Sequence, residues 1–254
     1  MKKFFLFSLI ALFVIGISSI SFASVDSMYE AAIVNVNGEV KVDPNADGGW
    51  FTPWVGMKLK KGAVLKVGEN SSAEIVFDVA GLNVLKIDAN SQITIQKSMV
   101  DMPEGSVLAN FANLKEGSSF VVKTPTAACS IRGSGMGVDH INNMTVATAY
   151  EDKVYVQGLD SRGNPVGKEV TIPEGWKTQV KAGKINPPAE LTENERQIWN
   201  AWISVFAPTE GDLSDRLKDV KDRTSDSDSK DDTKDLDEVK EEASKEEGQP
   251  SVSP

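Results

Sequence analysis

Short runs of alternating apolar and polar residues, separated by turn residues, constrain this chain most. Val34, Val36, Val40 and Val42 alternate with Asn35, Asn37, Glu39 and Lys41. That period of two places one set on a buried face and the other toward water. The pattern returns at Ala73-Ile75-Phe77, Ile93-Ile95, Val146-Thr148-Tyr150, Val154-Val156, Val170-Ile172 and Trp176-Thr178-Val180. Between these runs lie Pro44-Asn45 with Gly48-Gly49, Gly68-Glu69-Asn70, Pro103-Glu104-Gly105 and Pro173-Glu174-Gly175, which are turn signals. Many short strands with turns between them predict an all-β domain: an elongated sandwich or a β-helix-like stack. No βαβ alternation is present, which argues against a parallel α/β enzyme fold.

The ends read differently from the body. Lys2 and Lys3 precede an apolar run over residues 4–20, and Ser21-Phe22-Ala23 has the small-x-small form of a cleavage site. Residues 1–23 are read as a secretory signal peptide, which directs the mature chain to the periplasm or the exterior. A membrane anchor is expected only if this segment stays uncleaved, and no cysteine follows the apolar run to carry a lipid. Residues 24–189 read as the β domain and residues 190–207 as one amphipathic helix. Thr192-Glu193-Asn194-Glu195 is a capping box. Ile198, Trp199, Trp202, Val205 and Phe206 recur at helical spacing, and Pro208 ends the run. Trp199 and Trp202 could meet a partner; the competing expectation is that the helix packs on its own sheet as a lid over an open end.

Residues 208–254 are expected to be an acidic disordered tail. From residue 211 onward there are 15 Asp or Glu and 8 Lys or Arg, a net of −7 out of −10 for the whole chain. A segment so poor in apolar residues cannot offset its ordering entropy by burial. Loss of Lys2 and Lys3 with the leader takes the mature chain to −12, which argues against nucleic acid as a partner.

The chemical inventory points away from catalysis. His140 is the only histidine and Cys129 the only cysteine. A His-based triad, a multi-ligand zinc site and an internal disulfide therefore have no residues to build them. His140 reads as a partly exposed turn residue and Cys129 as a small buried hydrophobe. No cofactor or metal is expected. The glycine-rich Gly133-Ser134-Gly135-Met136-Gly137 leads into no helix, so it reads as a bend and not as a phosphate loop. Trp50-Phe51-Thr52-Pro53-Trp54 is an aromatic loop cluster. Loop tryptophans act as recognition anchors or as plugs tying a loop to the core, and both readings stand.

Several segments, in order, carry a resemblance. Trp50 precedes Gly56-Met57-Lys58-Leu59-Lys60-Lys61-Gly62. Ser72-Ala73-Glu74-Ile75, Asn90-Ser91-Gln92-Ile93 and Glu104-Gly105-Ser106-Val107 come next. Thr124-Pro125-Thr126-Ala127 and Ile131-Arg132-Gly133-Ser134 complete the series. This succession resembles the FecR domain family of bacterial envelope proteins over roughly residues 38–156, with Ser134 where the family usually has Thr. The resemblance implies an exported, non-enzymatic all-β module that binds another envelope protein. Only Met1-Lys2-Lys3 precede the apolar run, so the sigma-factor-binding segment of FecR-type regulators is not carried over. The alternative is a carbohydrate or cell-wall binding domain using Trp50 and Trp54. A carboxylate-based glycan hydrolase is a third reading, with no acid pair on a shared strand face to support it.

Overall fold

The computed structural model describes residues 30–206, apart from 79, 80 and 113. The expected signal peptide (residues 1–23) and the expected disordered tail (residues 208–254) lie outside the described residues. In chain order the strands are Ala31–Asn37 (β1), Val40–Asp43 (β2), Lys58–Leu59 (β3), Val64–Val67 (β4), Ser72–Val76 (β5), Asn83–Ile87 (β6), Ser91–Gln96 (β7), Met99–Phe111 (β8) and Phe120–Lys123 (β9). Then come Ala127–Ile131 (β10), Ser134–Ile141 (β11), Met144–Glu151 (β12), Lys153–Leu159 (β13), Pro165–Pro173 (β14), Trp176–Lys181 (β15), Lys184–Ile185 (β16), Ala189–Glu190 (β17) and the helix Glu193–Phe206 (α1).

These strands form two layers, as the alternation predicts. The first sheet runs β3-β1-β5-β6-β8-β11-β12-β15, with β16 and β17 both on β15. The second runs β2-β4-β7-β8-β9-β10-β13-β14. Every pairing is antiparallel except β8 with β9. The inward residues of both sheets make one core that includes Ile33, Leu65, Ile75, Ile93, Met102, Val138 and Val156. Phe111 of the first sheet stacks on Phe120 of the second, ring centroids 3.9 Å apart. The architecture is a sandwich, not a β-helix-like stack.

Strand β8 belongs to both layers. Its first half pairs with β7 and β9, and its second half with β6 and β11. The change falls at Gly105, which has φ +112°. A Cβ there would lie 2.2 Å from the Ser91 Oγ and 2.4 Å from the Ser91 Cα. No other residue fits that approach or adopts that φ without strain. Ser91 Oγ also accepts the amide of Ser106 at 2.9 Å. Two of the family-like motifs, Asn90-Ser91 and Glu104-Gly105, therefore meet where the chain passes between sheets. Arg132-Gly133 makes a second passage, from β10 in the second sheet to β11 in the first.

Two readings of local environment change. Val34 and Val36 do not share a face. The β1–β5 register shifts between Ile33 and Asn35, a bulge that reverses the alternation. Val36 therefore packs on the core while Val34 faces the helix. His140 is not a turn residue: it is buried within β11. Its Nδ1 lies 2.9 Å from the Thr145 Oγ1, which is also 2.7 Å from the hydroxyls of Thr124 and Thr126. Burial holds the His140 pKa below its ordinary value, so the ring sits neutral in a hydroxyl network.

The helix covers the outer face of the first sheet and not an open end. Thr192 Oγ1 accepts the Glu195 amide at 3.4 Å and the Thr192 amide donates to the Glu195 carboxylate at 2.9 Å, as a capping box should. Lys177 of β15 pairs with Glu195, and Trp199 and Trp202 pack with Val76, Val84 and Leu108. A Cβ on Gly135 would lie 2.4 Å from the Trp199 ring. The glycine-rich run of β11 is thus a shallow seat for an indole.

Candidate functional site

The loop from β2 to β3 links an edge strand of one sheet to an edge strand of the other, and Trp50, Phe51 and Trp54 sit on it. Its entry is fixed by Asp43. That carboxylate is buried and accepts the amides of Gly48 at 2.7 Å, Asp47 at 3.2 Å and Asn45 at 3.3 Å. Burial would push the Asp43 pKa up. The backbone donors outweigh burial and hold it below the ordinary carboxylate range, so the group stays ionised and keeps the turn closed. Phe51 exchanges backbone hydrogen bonds with Val42 at 2.9 and 3.0 Å, extending the β2 edge by one residue. On the far side Ile33 N donates to Met57 O and Gly56 N to Ile33 O, which ties the exit to β1.

This frame buries Pro53 and Met57 and leaves the large aromatics outside. Trp50 is 38% exposed, Phe51 37%, Trp54 58% and Val55 48%. The plug in this loop is the proline and the methionine. The Phe51 and Trp54 rings lie 6.1 Å apart and 23° from parallel. Lys66 Nζ stands 4.5 Å from the centre of the Trp50 ring, and Lys41 Nζ donates to Thr52 Oγ1 at 3.1 Å. From residue 50 to residue 68 the sequence holds four lysines, Lys58, Lys60, Lys61 and Lys66, and no acid. Lys66 and Lys41 thus stand beside the exposed aromatics, with Asp47 at the entry of the same loop.

The second tryptophan pair is placed differently. Trp199 and Trp202 are 4% and 7% exposed. Trp199 stacks on Tyr150 at 4.8 Å and donates to the Glu151 carboxylate at 3.2 Å; Trp202 donates to Glu74 at 2.9 Å. The structure does not bring this pair together with Trp50 and Trp54 in one surface.

The family-motif residues shape the backbone. Thr124 Oγ1 accepts the amide of Ala127 at 3.0 Å and closes the turn between β9 and β10, with Pro125 exposed at its tip. Arg132 lays its guanidinium over Tyr155 at 4.5 Å. Ser134 donates to the Glu151 carbonyl, and Gly133 lies between them at the sheet crossing. Sequence reasoning missed the buried set Thr124, Thr126, His140 and Thr145, because its members come from separate stretches of chain. Among the described residues no group of three or more His, Cys, Asp or Glu is placed to hold a metal ion.

Comparison with known proteins adds little beyond this architecture. No family model and no curated protein matches the chain. Two crystal structures from Parabacteroides distasonis ATCC 8503, each provisionally described as an anti-sigma factor, are similar in part. The one at 1.65 Å resolution aligns with TM-score 0.43 and 17% identity over 54% of this chain and 64% of its own. The one at 2.50 Å aligns with TM-score 0.35 and 16% identity over 67% and 63%. The chain thus spans under two thirds of the length of either.

Proposed function

We propose that the mature chain is an exported, non-enzymatic envelope module that binds another protein through the aromatic loop. The observation that carries the reading is the exposure of Trp50, Phe51 and Trp54 on a loop held rigid by Asp43 and the Phe51–Val42 pair. Interface hot spots are enriched in tryptophan, and a preorganised loop loses little entropy on binding. The secretory leader in the sequence and the order of FecR-like motifs support the envelope setting.

In-cell photocrosslinking tests this directly. A photoreactive phenylalanine analogue at position 51 should give one dominant adduct with a defined envelope protein. The same analogue at Val166, exposed on the opposite edge strand, should not, and Trp54→Ala should remove the adduct. Equal labelling from both positions, or none from position 51, overturns the reading. A second reading, glycan binding, rests on the near-parallel Phe51 and Trp54 rings, which offer a platform for a sugar ring. It requires that Trp50→Ala with Trp54→Ala abolishes retention on cell-wall polysaccharide while the domain stays folded.

A further inference from the structure

One end of the sandwich holds a buried histidine that its neighbours satisfy only in part. Met136 and Val138 of β11 point into the core, so His140, next on that face, points inward with them. The residue is 3% exposed, and its ring lines a cleft of about 480 Å³. That size is ordinary for a small-molecule site. The cleft shares no lining residue with the aromatic loop.

The hydroxyl network decides where the ring carries its proton. Thr124 Oγ1 accepts the amides of Ala127 at 3.0 Å and Thr126 at 3.3 Å, which fills its lone pairs. Its own proton goes to the nearer of two acceptors, Thr145 Oγ1 at 2.7 Å against the Ala127 carbonyl at 3.1 Å. Thr126 Oγ1 likewise has Thr145 Oγ1 at 2.7 Å and the Val180 carbonyl only at 3.4 Å. Thr145 Oγ1 therefore accepts twice and donates to His140 Nδ1 at 2.9 Å. A neutral imidazole that accepts at Nδ1 carries its proton on Nε2. Nε2 has no partner among the described residues. It is not sealed either, since the one sealed side-chain polar atom without a partner is Asp78 Oδ2. Its N–H opens on the cleft.

The rim is equally unspent. Asn90, Asn142 and Asn143 have φ +58°, +52° and +58°. Left-handed turns explain why asparagine stands there, but they do not occupy the side-chain amides. Those amides and the Glu104 carboxylate make no hydrogen bond or ion pair to a described residue. No lysine or arginine lines the cleft, so with Glu104 present it disfavours anions. An extended peptide would need a free strand edge, whereas β11 is flanked on both sides by β8 and β12. Hydroxyl groups, which donate and accept at one atom, need only side chains of this kind.

We propose that this cleft binds one uncharged sugar residue, with His140 Nε2–H donating to a ligand oxygen and Glu104, Asn142 and Asn143 holding its hydroxyls. This is a second contact site, independent of the aromatic loop.

His140 is the only histidine, so a long-range 1H–15N spectrum of the untagged protein at neutral pH reports one imidazole. Before any ligand is added it should show Nε2 protonated and Nδ1 bare. Glucose, galactose, mannose and N-acetylglucosamine are then titrated separately. At least one should move the Nε2 and Asn143 side-chain signals saturably, with a dissociation constant on the order of 1 mM, and leave the Trp54 indole unmoved. Asn143→Gly with Glu104→Gln keeps the left-handed turn and should weaken that binding at least about tenfold. If the double variant does not fold, the titration of the parent decides alone. A proton on Nδ1, no saturable shift with any of the four sugars, or an unchanged constant in the folded variant overturns the proposal. So does a shift produced by triglycine and by none of the sugars.

Discussion

The chain uses two tryptophan pairs in opposite ways. Trp199 and Trp202 lie on a regular amphipathic helix and are buried; Trp50 and Trp54 lie on an irregular loop and are exposed. The difference arises from the surface each backbone leaves uncovered. The outer face of the first sheet presents Val76, Val84 and Leu108, which need cover, and the helix supplies it. Each indole there removes about 150–250 Å² from water, on the order of 4–6 kcal/mol at ~25 cal/mol per Å², before the cost of ordering the helix. The loop already seals the sandwich edge with Pro53 and Met57, so its tryptophans add little to the core and remain available for contact.

The largest effect should come from the buried pair. Trp202→Ala removes a packed indole and one of the two side-chain donors to Glu74, leaving Asn35 Nδ2 at 3.2 Å, and should cost about 3–5 kcal/mol in urea unfolding. A change under about 1 kcal/mol would mean that α1 does not stabilise the sheet. Next is the seat itself. Gly135→Val drives a side chain into the Trp199 ring and should cost about 1–3 kcal/mol, read as lost hydrogen-exchange protection across α1. Unaltered protection would show that Trp199 does not lie against β11.

Thr192→Ala should cost about 1 kcal/mol by removing the cap. Acid acts on the same end of the helix. The hydrogen bond from Lys177 holds the Glu195 pKa below its ordinary value, burial opposes it, and Thr192 adds to the lowering. A depressed carboxylate contributes stability that is present above its unfolded pKa, about 4.3, and lost as pH falls through the folded value. His140 acts in the same sense higher up the scale. Its pKa is lowered by burial, so the unfolded chain takes up a proton first and stability declines as pH drops below about 6.5. His140→Gln should flatten that upper part of the pH–stability curve, and an unchanged curve would contradict the burial of His140. The smallest effect belongs to the loop. Trp54→Ala should alter unfolding free energy by no more than about 0.5 kcal/mol, and a cost several times larger would make the loop a plug after all.

Much of this contrast can be read from residue order. The capping box, the helical spacing of the tryptophans and the β alternation are local patterns, and local patterns survive in a sequence. The features that escaped depend on partners far along the chain. The bulge in β1 moves Val34 to the helix side, although no glycine or proline marks it. His140 looked like a turn residue because the Asn142-Asn143 hairpin comes directly after its strand, yet its ring points into hydroxyls contributed by the β9–β10 turn and by β12. Gly105 is confined by Ser91, fourteen residues away, and Gly135 by Trp199, sixty-four residues away. The exposure of Trp54 was undecided in the sequence because the competing plugs, Pro53 and Met57, are its own neighbours.

Hydrogen exchange at the indole nitrogens is the most direct test of this division. Measured on the protein at about 0.5 M salt, where contacts between surface charges are largely screened, the Trp199 and Trp202 N–H groups should exchange slowly. They are bonded to Glu151 and Glu74 beneath the helix. Trp54 should exchange at close to the rate of a free indole. Comparable protection of all these indoles, or fast exchange at Trp202, would contradict the assignment of one pair to the fold and the other to contact.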